Sequence, residues 1–166
     1  MKTMKNIMSI ALILLVAMSV FVGCNPVDDT GFKPEDKAQI EEFWGDAIPF
    51  LDCISYEIFT GTDSINGEWL AIWFKGNTSF IDDKDKITEA HIDDYIDKLM
   101  AFVGKDAKYT EYASEYGEWE IITKGNKSIA VERVAFLMGT GYYVMVRLYN
   151  CAVTEIGQRS VAEIGQ

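Results

Sequence analysis

The sequence predicts an α+β domain in which an antiparallel sheet of four to five strands carries two to three helices packed on one face. Three observations predict it. Apolar residues recur at helical spacing in two stretches before Gly104, and the period changes to two after Tyr116. The late strands are joined by Gly125-Asn126 and Gly139-Thr140-Gly141, connections short enough to force antiparallel neighbours. Helices gathered ahead of such a sheet define the class.

The elements follow in order. Pro34 suits a first helical position, and Glu35 and Asp36 behind it favour the positive end of the helix dipole. Ile40, Phe43, Trp44, Ala47, Ile48, Leu51, Ile54 and Ile58 continue a helical stripe, and Pro49 within it predicts a kink or two helices meeting near Asp46 to Pro49. GTDSING, Gly61 to Gly67, has the chemistry of a turn. Glu68 to Lys75 is apolar on both alternating faces, as in a strand covered on both sides. Gly76-Asn77 then turns into a short strand at Thr78 to Ile81, before a charged loop from Asp82 to Lys86.

Thr88 is a candidate N-cap for a second helical region. Its stripe is Ile92, Tyr95, Ile96, Leu99, Phe102 and Val103, and Gly104 stands where a C-terminal stop belongs. Lys105 to Tyr116 is polar and tyrosine-rich. Trp119 to Lys124, Ser128 to Met138 and Tyr142 to Cys151 then read as three strands. In the last, Val144, Val146 and Leu148 face one way, and Tyr143, Met145, Arg147 and Tyr149 the other. This element order is similar to that of the cone-shaped NTF2-like domains, which implies a curved sheet wrapped around helices with a pocket left inside. A cystatin-like helix-on-sheet arrangement is the rival resemblance.

Lys2 and Lys5 open the chain, and the apolar run from Ile7 to Val22, broken only by Ser9 and Ser19, has the layout of a secretory signal. The run is short of the about 20 residues a spanning helix needs. Phe21-Val22-Gly23-Cys24 resembles the lipobox of bacterial lipoproteins. That resemblance implies cleavage before Cys24, a diacylglyceryl thioether on its sulfur and anchoring by more than one acyl chain. It gives the domain plan 1–23 signal peptide, 24–33 lipidated start and flexible tether, 34–152 one α+β domain and 153–166 a frayed tail. The expected location is the bacterial cell envelope, as an outer-membrane lipoprotein facing periplasm or cell surface. Asn25 is not the Asp of inner-membrane retention, and Asp28-Asp29 resemble surface-export signals.

Cleavage there leaves about 143 residues, enough for one domain with a real core. It also leaves 13 basic against 26 acidic residues, a balance of −13. So acidic a domain is repelled by nucleic acid, which is excluded as a partner. With Cys24 lipidated, Cys53 and Cys151 remain as an even pair in an oxidising compartment. Two arrangements are open: a disulfide closing a loop of nearly a hundred residues, worth about 4 kcal/mol, or two free thiols packed as small hydrophobes.

Catalytic motifs are missing. His91 is the only histidine and reads as a solvated or capping residue; GxSxG, P-loop and GxGxxG patterns do not occur. Asp82, Asp83 and Asp85 cluster as a hard cation would require, but their spacing does not fit a calcium loop, so no metal and no cofactor is expected. Glu118 and Glu120 flank Trp119 and could be paired for glycoside hydrolysis, as could many of the 26 acids. Aromatic residues are the strongest remaining signal. Trp44, Trp69 and Trp73 lie on apolar stripes and belong to the core. Tyr109, Tyr112, Tyr116, Tyr142 and Tyr143 are the candidates for a ligand or partner surface. The function expected from all this is a lipid-anchored, non-enzymatic binding domain, held to the membrane through Cys24, for a partner protein or a small ligand. The alternative is an enzyme with an unrecognised carboxylate site in an NTF2-like pocket; a third class is a structural spacer of the envelope.

Overall fold

The computed structural model describes residues 31–79, 84–114, 117–135 and 141–156. The signal sequence with Cys24, most of the tether, Asp82, Asp83, Tyr116, the end of the strand expected through Met138, and residues 157–166 lie outside them. What is described is α+β, with two helices and a six-stranded antiparallel sheet.

Helix α1 is Pro34–Trp44, with Pro34 at its start and Glu35 and Asp36 in its first turn. It ends at Gly45, whose left-handed φ of 92° lets its N–H reach Glu41 O at 2.7 Å. The helical stripe expected to run on to Ile58 therefore stops early, because Gly45 caps the helix and Pro49 bars a new one. Strand β1, Ser55–Asp63, takes over. Its Tyr56 and Ile58 face the helices, whereas Phe59 between Ile58 and Thr60 faces away. The turn is shorter than the expected GTDSING, since only residues 64–66 lie between the strands. Asp63 Oδ1 accepts from the N–H groups of Ile65 and Asn66 at 2.7 and 3.1 Å, closing an Asx turn into β2, Gly67–Lys75.

Residues 76–79 form no strand. Helix α2 is Glu89–Val103, capped by Thr88 and stopped by Gly104 at φ 97°. The tyrosine-rich stretch, for which the sequence predicts no strand, becomes β3, Lys108–Ser114. Tyr109 and Tyr112 have helical spacing, but pairing with the next strand decides the conformation: Tyr112 stands opposite Trp119 and Tyr109 opposite Ile122. Strands β4 (Gly117–Lys124), β5 (Lys127–Ala135) and β6 (Tyr142–Tyr149) complete the meander. Sheet order is β1-β2-β6-β5-β4-β3, so the last strand fills the centre.

Both helices cover one face. Ile40 and Trp44 of α1 and Ile92, Tyr95, Ile96 and Leu99 of α2 pack on Leu70, Ile72, Phe74, Ile122, Ile129, Val131, Val144, Val146 and Leu148. Phe32, 3% exposed, joins this core, so the domain begins inside the stretch expected to be tether. Its ring meets Phe50 and Tyr56 edge-on at 4.9 and 5.3 Å. Val153 and Ile156 are likewise buried, against the opposite face; the expected fraying does not hold for residues 153–156.

Gly61 lies opposite Trp69, whose indole crosses β1 so closely that a Cβ at Gly61 would stand 2.4 Å from the ring. Gly61→Ala is expected to displace Trp69 and to destabilise by about 1–3 kcal/mol, read as a lower urea midpoint with an unchanged slope. A midpoint equal to the parent's would refute the steric role.

Candidate functional site

On α2, His91, Asp94, Tyr95 and Lys98 follow one another at spacings of three, one and three residues, which places them along one side of the helix. Opposite them runs the irregular segment that follows α1. Tyr95, buried, donates its hydroxyl proton to Pro49 O at 2.9 Å and ties that segment to the helix. The Ile54 N–H reaches Lys75 O at 3.0 Å and ties the other end to the sheet. Between them opens a cleft of about 340 Å³ lined by Phe50, Leu51, Asp52, Cys53, Asp85, Lys86 and the four α2 residues. Its floor is apolar (Phe50, Leu51, Tyr95), and its rim carries three aspartates, two lysines and the histidine.

The rim is partly self-paired. Lys98 Nζ lies 2.7 Å from Asp94 Oδ2, an exposed pair of small energetic weight. His91 serves the helix end: its N–H meets Thr88 Oγ1 and its Nδ1 meets the Thr88 N–H, each at 3.4 Å, a reciprocal cap in which histidine stands where glutamate usually does. The same Nδ1 lies 3.1 Å from Lys86 O. Asp85 holds a left-handed φ of 60°.

Cys53 is half-buried beside this cleft, while Cys151 is half-buried on the opposite face, packed with the tryptophan cluster. Both are free thiols, so the disulfide that their number allowed is not formed; the sheet itself separates them. Burial pushes the Cys53 thiol up from 9.0 to about 11, Asp52 adds to the shift, and backbone hydrogen bonds from Lys75 and Ser55 oppose it. Burial raises Cys151 too, where its Sγ–H donates to Asn66 O at 3.3 Å.

The face turned away from the helices is aromatic. Arg147, 2% exposed, is sandwiched between the indoles of Trp69 and Trp119, its guanidinium carbon 4.9 and 4.5 Å from their centres. Trp73 is met edge-on by Tyr143 at 5.6 Å, and Lys75 Nζ lies 4.7 Å over the same ring. Trp44, by contrast, packs among the helices, as expected.

Among the described residues, the four tyrosines of the expected surface do not come together. Strand alternation sends Tyr142 to the helix face, where its hydroxyl donates to Glu89 Oε1 at 2.6 Å, and Tyr143 to the tryptophan face. Tyr112 packs on the tryptophan cluster, and Tyr109, 42% exposed, stands on the other side of the same edge strand. Glu120 is held by a guanidinium: Arg133 Nε donates to its Oε1 at 2.7 Å, and the same group reaches Asp93 Oδ1 at 2.8 Å. Among the described residues no group of acids, histidines or cysteines is arranged to hold a metal ion. Sequence reading missed Phe50, Leu51 and Asp52 as lining residues. The available signal was Pro49, which marks the departure from helix, and Tyr95, whose hydroxyl needs a partner when buried.

No family model matches the chain, and no curated protein or solved structure is similar to it.

A raised thiol favours its neutral form when folded. The stability it contributes is complete below the unfolded value near 9.0 and is lost as pH rises towards about 11. An ultraviolet thiolate titration should show Cys53 ionising above an unfolded-thiol reference. Cys53→Ser should remove part of the stability loss above pH 9; an ordinary titration of Cys53 would contradict its burial.

Proposed function

We propose that this chain is a lipid-anchored cell-envelope protein whose α+β domain binds a small ligand in the cleft beside α2, without chemical turnover. The observation that carries this reading is the cleft's construction. An apolar floor of Phe50, Leu51 and Tyr95 lies under a rim of mixed charges, in a volume of about 340 Å³ that suits a small molecule. The ligand it fits has an apolar body and a polar end to meet Asp52, Asp94 and Lys98. Cys53 is the nucleophile nearest to hand, and its raised thiol is a poor one near neutral pH.

The anchor rests on the lipobox-like Gly23-Cys24 and the apolar run before it, which also support an outer-membrane location with lipid at Cys24 as the membrane partner. The acidic balance speaks against nucleic acid. The finer fold reading, an NTF2-like cone, is supported by the order helix, hairpin, helix, four strands and by both helices lying on one face. A second reading, an enzyme with a carboxylate site, is favoured by one observation: Asp52, Asp85 and Asp94 share a single rim.

Screening a small-fragment library against the isotopically labelled protein should move amide resonances of Asp52, Cys53, His91, Asp94 and Lys98 together, and Cys53→Trp should abolish these shifts while leaving the remaining spectrum in place. Fragments perturbing only the tryptophan face, or turnover of glycosides, esters or peptides well above background, would overturn the proposal. Mass spectrometry of the native protein tests the anchor separately: the mature chain should begin at Cys24 and carry added acyl mass.

A further inference from the structure

The C-terminal sequence contains a near-duplicate, Val153-Thr154-Glu155-Ile156-Gly157-Gln158 and Val161-Ala162-Glu163-Ile164-Gly165-Gln166. The first copy has a defined seat on the tryptophan face. Val153 and Ile156, 3% and 4% exposed, are buried with Trp119, Ile121, Ala130, Met145 and Tyr149. Two polar contacts fix the segment, and both reach its main chain. The Val153 N–H donates to Ser128 Oγ at 2.9 Å, and Asn66 Nδ2 donates to Glu155 O at 2.8 Å. Ser128 is fully buried and shares a hydrogen bond with Thr123 Oγ1, so this seat is rigidly built into the sheet.

Every group through which the described part of the first copy engages the seat recurs in the second. The apolar pair is repeated as Val161 and Ile164, and main-chain groups are common to any residue. Where the two copies differ, Thr154 against Ala162, the side chain of the first is exposed and makes no described contact with the seat.

We propose that this seat is a peptide-binding site for which the chain carries two interchangeable ligands, Val153–Ile156 and Val161–Ile164. When the second copy docks, the connection from Tyr149 lengthens from three intervening residues to eleven. Loop-closure entropy then disfavours the second register by about sevenfold. The first register dominates, and the second stands in reserve at the same place.

The test is a substitution cycle on the full chain. Val153→Ala with Ile156→Ala should lower the folding equilibrium constant only by about sevenfold, the loop-closure ratio, because the second copy takes over. Val161→Ala with Ile164→Ala should change it by less than about twofold. All four changes together should lower it by on the order of a thousandfold, the ordinary consequence of emptying two buried aliphatic positions. If the first pair alone costs as much as all four, the second copy does not substitute and the proposal fails. A second readout serves if the fourfold variant does not fold. In the first double variant, the Ile164 methyl resonances should move towards the ring-current-shifted positions that Ile156 occupies in the parent; Ile164 methyls unmoved from the parent spectrum would equally overturn it.

Discussion

The sheet is held together by its last strand. Strands β1 and β2 form one hairpin and β3, β4 and β5 one ladder, and only β6 pairs with both, through β2 on one side and β5 on the other. The registers Ile72 with Val146 and Val131 with Val146 place three β-branched residues in one row across the join. Val146 is completely buried, as are its neighbours Val144 and Leu148. Because β2 and β6 are far apart in sequence, the chain must close a long loop before this row can form, and topologies of this kind fold slowly.

Strand alternation along β6 also gives the two faces different chemistry. The even residues Val144, Val146 and Leu148 meet the helices and form an ordinary aliphatic core. The odd positions place Arg147 between Ala71 on β2 and Ala130 on β5, and those small neighbours leave room for a guanidinium beneath two indoles. Burying a cation costs several kcal/mol, and two ring contacts at roughly 0.5–2 kcal/mol each offset part of that cost. Arg147 Nε and the indole nitrogens of Trp73 and Trp119 make no hydrogen bond among the described residues. Ring contacts and the Val153 and Ile156 strap contribute to holding this face together.

The cleft depends on the same economy of backbone geometry on the other face. Gly45 ends α1 and Pro49 prevents its continuation, so a short irregular segment must cross to β1 over the helix face. Phe50 is fixed there by edge-on contacts with Phe32 and Phe74, and Tyr95 holds Pro49 O. The segment stays open towards α2 because charged side chains at Asp52, Asp94 and Lys98 favour water over packing. Apolar anchoring below and charge above are what make a cleft here in place of a continuous core.

Much of this was legible in the sequence, and the boundary has a physical explanation. The amino acids by themselves determined the two helix starts at Pro34 and Thr88, the stop at Gly104, the doubly covered strand through Trp69 and Trp73, and the alternation that separates Val146 from Arg147. These follow from local chemistry: caps, dihedral limits and side-chain period. Tertiary structure alone decided that Ser55–Asp63 and Lys108–Ser114 are strands, since an edge strand needs only a partner and leaves little periodic trace. It also decided that Cys53 and Cys151 lie on opposite faces, that Tyr109, Tyr112, Tyr142 and Tyr143 are divided between those faces, and that Phe50, Asp52 and Tyr95 meet around one cleft. Each of these depends on which distant segments the sheet order brings side by side, and that order is set by where β6 inserts.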